Sequence, residues 1–244
     1  MTLLPASFEA GVGWRVSYKR ALNAFCTAPV GAMLVVLGGC VYQQQGPPEV
    51  HFKEFAARPP RGDTVTVCHA YGCKAQTPFT FSQTDLGELS ALMQRVRRVD
   101  SPREERRAIA YAIGWMERRV APAVGTARDR PSMDFSGSGD ESQQDCVDEA
   151  TNTTSYLLIL NRHGLIQHHA VEPPFAKDDF GRWTHWAALI KEKGSGLSFA
   201  IDSSVSANGE NPTTHLLITA SGVSAIRKAT SEASVSRPIL LRPC

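Results

Sequence analysis

The stretch from Asp145 to Gly164 constrains the fold more than any other part of the sequence, because it carries both a start and a stop signal for a helix. Asp145 is a good N-cap residue, Asp148 follows in the first turn, and Gly164 is typical of the left-handed residue that ends a helix. We therefore predict a helix over residues 146–162. Cys146 would lie in its first turn, where the amide dipoles favour an anionic sulfur. The neighbouring acidic residues oppose this effect, so a thiolate would need a nearby imidazolium.

Two runs typical of β-strands follow this helix, and a glycine-containing turn separates them. Residues 183–191 and 197–202 are the predicted strands, and a turn centred on Lys193-Gly194 would join them into a hairpin. In that register His185 lies directly opposite Asp202, on the same face of the sheet. Their Cβ atoms would then be about 5 Å apart, close enough for a carboxylate to orient an imidazole.

Cys146, His185 and Asp202 form a candidate nucleophile, base and orienting group. His185 would take the thiol proton and later protonate the leaving amine, and Asp202 would fix the tautomer of the ring. The backbone amide of Cys146 and the side chain of Gln143 or Gln144 are candidate donors to an oxyanion. In the competing interpretation, His185 and Asp202 are only a surface pair and Cys146 is an inert thiol.

The segments that carry these residues resemble bacterial transglutaminase-like cysteine proteinases, a branch of the papain-fold proteins. The matching segments are Asp145-Cys-Val-Asp-Glu-Ala150, Thr184-His-Trp-Ala-Ala-Leu189 and Phe199-Ala-Ile-Asp202, within about residues 140–212. The resemblance implies an α+β fold with a transglutaminase/papain-like core, in which the Cys-bearing helix packs on an antiparallel sheet. It also implies acyl transfer through a thioester, as hydrolysis of peptide or isopeptide bonds or as amide exchange. A catalytically inactive binding or scaffold protein with the same fold is the alternative.

A helical pair is predicted before the Cys-bearing helix. Apolar residues recur at helical spacing over residues 84–99 and again from residue 101 onward. Ser101-Pro-Arg-Glu104 is typical of a capped helix start, and Pro122 and Gly125 indicate its end. A strand is predicted over residues 62–69.

The first 39 residues resemble an export signal. Basic residues precede a short apolar run, Pro29 to Gly39, which is too short to span a bilayer comfortably. The run ends in Leu37-Gly-Gly-Cys40, which resembles the lipobox of bacterial lipoproteins, whose cysteine is acylated and becomes the new N-terminus. Val41 follows instead of aspartate, so the inner-membrane retention signal is absent and the periplasmic face of the outer membrane is implied. A buried strand that ends in cysteine is the alternative.

These features predict four segments: a lipoprotein signal peptide (1–39), a tether (40–60), a transglutaminase-like catalytic domain that includes the helical pair (61–212), and a poorly defined tail (213–244). The expected partners are a membrane, through the lipid on Cys40, and a peptide or protein substrate. With 26 Lys+Arg, 24 Asp+Glu and a formal net charge of +2, the composition gives no case for nucleic-acid binding. No cofactor is expected.

The six cysteines fit an oxidising compartment. Cys68 and Cys73 flank a turn-like spacer, so a local disulfide and two free thiols are both open interpretations. A zinc site that adds His69 is a third, although no second Cys or His pair follows at zinc spacing.

Overall fold

The computed structural model describes residues 40–131, 135–178 and 184–217, so the predicted signal peptide and the chain from residue 218 lie outside the described residues. The described chain has an α+β fold with an antiparallel main sheet. Its elements are β1 (Cys40–Gln43), α1 (Val50–Glu54), β2 (Thr64–His69), β3 (Ala75–Thr80), α2 (Gln83–Val96), α3 (Pro102–Val124), α4 (Cys146–Arg162), β4 (His169–Asp178), β5 (Thr184–Glu192), β6 (Ser198–Asp202) and β7 (Thr213–Leu216).

The main sheet contains five strands in the order β1-β4-β5-β6-β7, and β2 and β3 form a separate hairpin. All neighbouring strands in the main sheet are antiparallel. The β4–β5 ladder has an irregularity between Glu172 and Phe175, where two prolines interrupt β4. Proline has no N–H to donate to a neighbouring strand, which accounts for the break at this position.

Helix α4 lies at the centre of the molecule and begins at Cys146, as predicted. Asp145 caps it: its side chain accepts a hydrogen bond from the Asp148 amide at 2.9 Å, while the Asp148 side chain accepts one from the Asp145 amide. Most of the helix is buried against β2, β4 and β5. Its buried hydroxyl groups remain satisfied, since Thr151 and Thr154 each donate to a backbone carbonyl four residues earlier.

The predicted helical pair is present as α2 and α3, which pack against each other, and α3 also packs against α4. Ser101 caps α3 by accepting from the Glu104 amide at 3.3 Å, and Gly125 ends it with a left-handed φ of 100°. The core that these helices share with the sheet contains a cluster of large buried side chains: Leu89, Met93, Ile109, Ile113, Met116, Leu157, Leu160, Ile190 and Ile201. None of the helices in the described ranges combines the length and the apolar character that crossing a membrane requires.

The structure differs from the predicted segment boundaries at both ends of the domain. In the predicted tether (40–60), β1 pairs with β4, and α1 buries His51 and Phe52 completely against the domain. Residues 213–216, which the sequence assigned to the tail, form the opposite edge strand of the sheet. The ordered domain therefore extends beyond 61–212 in both directions, because its two edge strands come from those flanking segments.

The β5–β6 hairpin is present, but its predicted register is wrong by two residues. Ala188 pairs with Ile201, and the loop runs from Lys193 to Gly196, where Gly196 takes a left-handed φ of 72°. Side chains alternate between the two faces of a sheet with a period of two, so this shift keeps every residue on its predicted face. His185 and Asp202 are therefore diagonal neighbours and not directly opposed.

Candidate active site

Cys146 is not part of a disulfide, and it lies at the first position of α4. Its side chain is 4% exposed and belongs to a small cluster with Ala150, Ala176 and Trp186. The sulfur lies 3.7 Å from the backbone carbonyl oxygen of Thr184, immediately before His185. The helix start thus places the thiol against the beginning of β5.

His185 and Asp202 contact each other directly within the buried interior. The ring Nε2 of His185 lies 2.8 Å from the Asp202 carboxylate, and both side chains are almost fully buried. The second carboxylate oxygen of Asp202 accepts from the Ser204 amide at 3.2 Å and from the Ser204 hydroxyl at 2.9 Å. Both oxygens of the carboxylate are therefore held, which fixes the orientation of the His185 ring.

The third contact joins the sulfur to the ring. Cys146 is hydrogen-bonded to His185, and because Nε2 faces Asp202, Nδ1 is the nitrogen left for the sulfur. Burial alone would lower the pKa of His185, but the hydrogen bonds to Asp202 and Cys146 outweigh it and raise the pKa to about 9. The charged imidazolium is therefore the stable form at neutral pH, and it favours a thiolate on the neighbouring Cys146. The structure thus brings together all three residues that the sequence singled out.

The two glutamines that the sequence offered as oxyanion donors have other partners. Gln143 accepts from the Arg130 amide at 3.3 Å and donates to the Arg128 carbonyl at 3.1 Å. Gln144 donates its side-chain amide to the Cys68 carbonyl at 3.2 Å. Gln143 holds the loop at 128–130 and Gln144 holds strand β2, so the predicted oxyanion role for them does not fit this arrangement.

Cys68 and Cys73 form a disulfide, which closes a tight turn between β2 and β3. All four residues from Ala70 to Cys73 have left-handed φ values, which is unusual for residues other than glycine. This conformation points the amides of Tyr71 and Cys73 at the carboxylate of Asp148, at 2.9 and 2.6 Å. Burial and the nearby Asp145 raise the pKa of Asp148 to about 8. The turn therefore holds the side chain of a residue in the first turn of α4, two positions after Cys146.

The zinc interpretation of Cys68, His69 and Cys73 does not fit the structure. The two sulfurs are bonded to each other, so neither is a thiolate that could bind zinc. Both ring nitrogens of His69 are also engaged, by the Glu141 carbonyl oxygen at 2.8 Å and the Thr77 hydroxyl at 3.0 Å.

Sequence reasoning missed the contribution of α1 to the site. His51 contacts the Trp186 ring with centroids 5.2 Å apart, and Phe55 contacts the same ring at 5.2 Å. The Nε2 of His51 lies 2.9 Å from the Thr151 hydroxyl, which itself donates to a backbone carbonyl, so His51 is the donor. Burial lowers the pKa of His51 to about 4, which keeps it neutral. Phe55, the residue directly after α1, packs on the cluster that contains Cys146.

A second set of residues that the sequence did not indicate consists of buried carboxyl groups. Glu117, Asp129 and Glu149 are buried carboxyl groups from three different parts of the chain. Burial raises the pKa of Glu117 to about 7 and that of Asp129 to about 6.

Comparisons of the chain with protein-family models, with curated proteins and with solved structures found no match, so the interpretation of this site depends on its own geometry and chemistry.

Proposed function

We propose that the protein is an exported, lipid-anchored cysteine hydrolase or amide acyltransferase that acts on peptide or isopeptide bonds and has a transglutaminase/papain-like core. One observation carries this proposal: Cys146 at the head of a buried helix is hydrogen-bonded to an imidazole whose other nitrogen contacts a fixed carboxylate. The order of the parts, a Cys-bearing helix followed by His and Asp on adjacent antiparallel strands, supports the family resemblance.

The chemistry begins with the thiolate of Cys146, which attacks the carbonyl carbon of the substrate and pushes an electron pair onto the carbonyl oxygen. Because α4 starts at Cys146, the positive end of its dipole favours that negative charge. His185 then gives its proton to the nitrogen as the C–N bond breaks, and a thioester remains. Water, deprotonated by His185, attacks the thioester and releases the acid and the Cys146 thiolate, which restores the ion pair with protonated His185. An amine in place of water gives amide exchange.

The direct test measures the reactivity of Cys146 and the turnover of substrate in the full-length protein. We expect iodoacetamide to modify Cys146 near pH 7 much faster than it modifies free cysteine, and His185→Ala to abolish the excess. Cleavage of quenched fluorescent peptides should disappear in Cys146→Ser. A Cys146 that reacts no faster than free cysteine would contradict the proposal.

The cellular part of the proposal concerns Cys40 as the site of lipid attachment at the periplasmic face of the outer membrane. The Cys68–Cys73 disulfide supports an oxidising compartment. We expect Cys40→Ser to leave an unprocessed precursor, detected as a higher mass in cell extracts. Processing that is unchanged in this variant would contradict the lipid anchor without bearing on Cys146.

The second candidate function is a lipid-anchored binding or scaffold protein with the same fold and no catalysis. Two observations favour it: Cys146 is only 4% exposed, and the side chains of Gln143 and Gln144 are held by the loop at 128–130 and by strand β2. The two functions differ in one result. A scaffold predicts that no peptide or isopeptide substrate is turned over, even where the thiol reacts rapidly with iodoacetamide.

A further inference from the structure

Glu149 lies one helical turn after Cys146, on the same buried helix, and is 5% exposed. Its side chain is hydrogen-bonded to the side chain of Asp129, which comes from the loop after α3. Two carboxyl groups can share a hydrogen bond only if one of them carries a proton, because a carboxylate has no hydrogen to donate. One member of this pair must therefore be neutral.

The contacts of Asp129 identify which member is neutral. Asp129 accepts a hydrogen bond from the Gln144 amide at 2.7 Å. Backbone N–H donors stabilise a carboxylate, so Asp129 is the charged partner and Glu149 is the protonated one. The Asp129 carboxylate thus connects its own loop to Gln144, two positions before Cys146. Glu149 donates a hydrogen bond to the same carboxylate.

The charges around Glu149 favour the same assignment. It faces the acidic side chains of Glu117 on α3, Asp129 in the loop, Asp148 on α4 and Asp202 on β6. The cations in this neighbourhood face other groups: His185 on β5 pairs with Asp202, Arg118 acts on Glu117, and Arg130 acts on Asp129. Burial and the four acidic neighbours raise the pKa of Glu149 well above its usual range. If Glu149 were charged, its negative charge would destabilise a thiolate on Cys146, one turn away on the same helix.

We propose that Glu149 is a positioning residue for Cys146, acting as a neutral hydrogen-bond donor that holds Asp129 against the Gln144 amide and keeps negative charge away from the sulfur. The part that concerns the thiolate rests on the proposed function. The part that concerns the segment before α4 does not, since it follows from the contacts of Asp129 alone.

The test compares two substitutions of similar size in the full-length protein, Glu149→Gln and Glu149→Met. Gln keeps a donor without a titratable group, whereas Met fills the space without a donor. Glu88→Gln, at an exposed position on α2, serves as the control for a Glu-to-Gln exchange outside the site. Each variant is measured for Cys146 alkylation at pH 7, for amide exchange of residues 143–147 by mass spectrometry, and for melting temperature at pH 5.5 and pH 9.

We expect Glu149→Gln to alkylate and exchange like the parent protein, and to lose less melting temperature than the parent between pH 5.5 and pH 9. Glu149→Met should alkylate severalfold more slowly and exchange faster over residues 143–147 while remaining folded. Equal behaviour of the Gln and Met variants would overturn the donor role. Should the parent thiol prove unreactive, the proposed function fails, while amide exchange and melting still decide whether Glu149 holds Asp129.

Discussion

Two buried histidines on neighbouring strands of the sheet each pair with a buried carboxylate, yet their surroundings differ in one respect. His185 on β5 contacts Asp202 at 2.8 Å, and His169 on β4 contacts Glu105 at 2.9 Å. In the first pair the other ring nitrogen faces the thiol of Cys146. In the second it faces the guanidinium of Arg106 at 3.1 Å.

This difference separates the arrangement that we propose to be reactive from one whose contacts are structural. A guanidinium has no acceptor, so His169 must accept from Arg106 through Nε2 and donate to Glu105 through Nδ1. Glu105 also accepts from the amides of Gln167 and His168, so it fixes the turn between α4 and β4. A buried histidine–carboxylate pair is therefore weak evidence for catalysis, and the group at the second ring nitrogen decides.

The largest expected difference between the two pairs concerns turnover. We expect His185→Ala to lower the rate of peptide cleavage by about 10³-fold, because it removes both the imidazolium that favours the thiolate and the acid that protonates the leaving amine. His169→Ala should leave the rate per folded molecule nearly unchanged. An equal loss in both variants, measured on folded protein at the same temperature, would remove the distinction.

The second expected effect concerns stability, and here it is the substitution of His169 that matters. His169→Ala should lower the free energy of unfolding by about 3 kcal/mol, because it leaves the buried Glu105 carboxylate with fewer partners. Urea unfolding followed by circular dichroism measures this loss. Glu105→Gln together with His169→Ala should recover part of it, and a double variant no more stable than the single one would contradict the explanation.

The two regions should also lose stability at opposite ends of the pH scale. The folded-state pKa of His185 is raised to about 9, so its contribution is complete below its ordinary value of 6.5 and is lost as pH rises through 9. Burial raises the pKa of Glu105, but hydrogen bonds from His169 and two backbone amides outweigh burial and lower it. The contribution of Glu105 to stability is therefore lost as pH falls below 4.5. We expect a loss of about 3 kcal/mol from His185 between pH 6 and 10. His185→Gln should flatten the alkaline side alone in urea titrations.

The smallest expected effect concerns access to the sulfur. Phe55→Ala should raise the alkylation rate of Cys146 severalfold, because the ring packs on the cluster that contains Cys146. Tyr111→Ala, at a partly exposed ring on α3, is the matched control and should leave the rate unchanged. Identical rates in the two variants would show that α1 does not limit access.

Local signals allowed the sequence to predict the centre of the fold. The caps at Asp145 and Ser101 placed the starts of α4 and α3, and strand alternation placed His185 and Asp202 on one face. The register was wrong by two residues because the loop is centred on Gly194-Ser195, one position after the predicted centre at Lys193-Gly194, and closes with the left-handed Gly196. A shift by two residues keeps each side chain on the same face of the sheet, which is why His185 and Asp202 are in contact although the predicted register was wrong.

The parts that could not be predicted depend on contacts between distant segments. His51 contacts Thr151 across 100 residues of chain, and Asp129 reaches both Gln144 and Glu149 from a loop. No local periodicity or capping pattern marks such partners. The same holds for Gln143 and Gln144, whose position before Cys146 suggested a donor role although their amides bind the loop at 128–130 and strand β2.

The strand β1 has a consequence for how a lipid on Cys40 would act. Pairing with β4 starts at Cys40 itself, so an acylated residue would be part of the sheet with no slack between anchor and domain. The domain would then lie directly against the lipid headgroups, and its site could act only close to the membrane surface. Its reach would end within a few tens of ångströms of the bilayer, roughly the width of a small domain, and targets would have to be brought down to that surface.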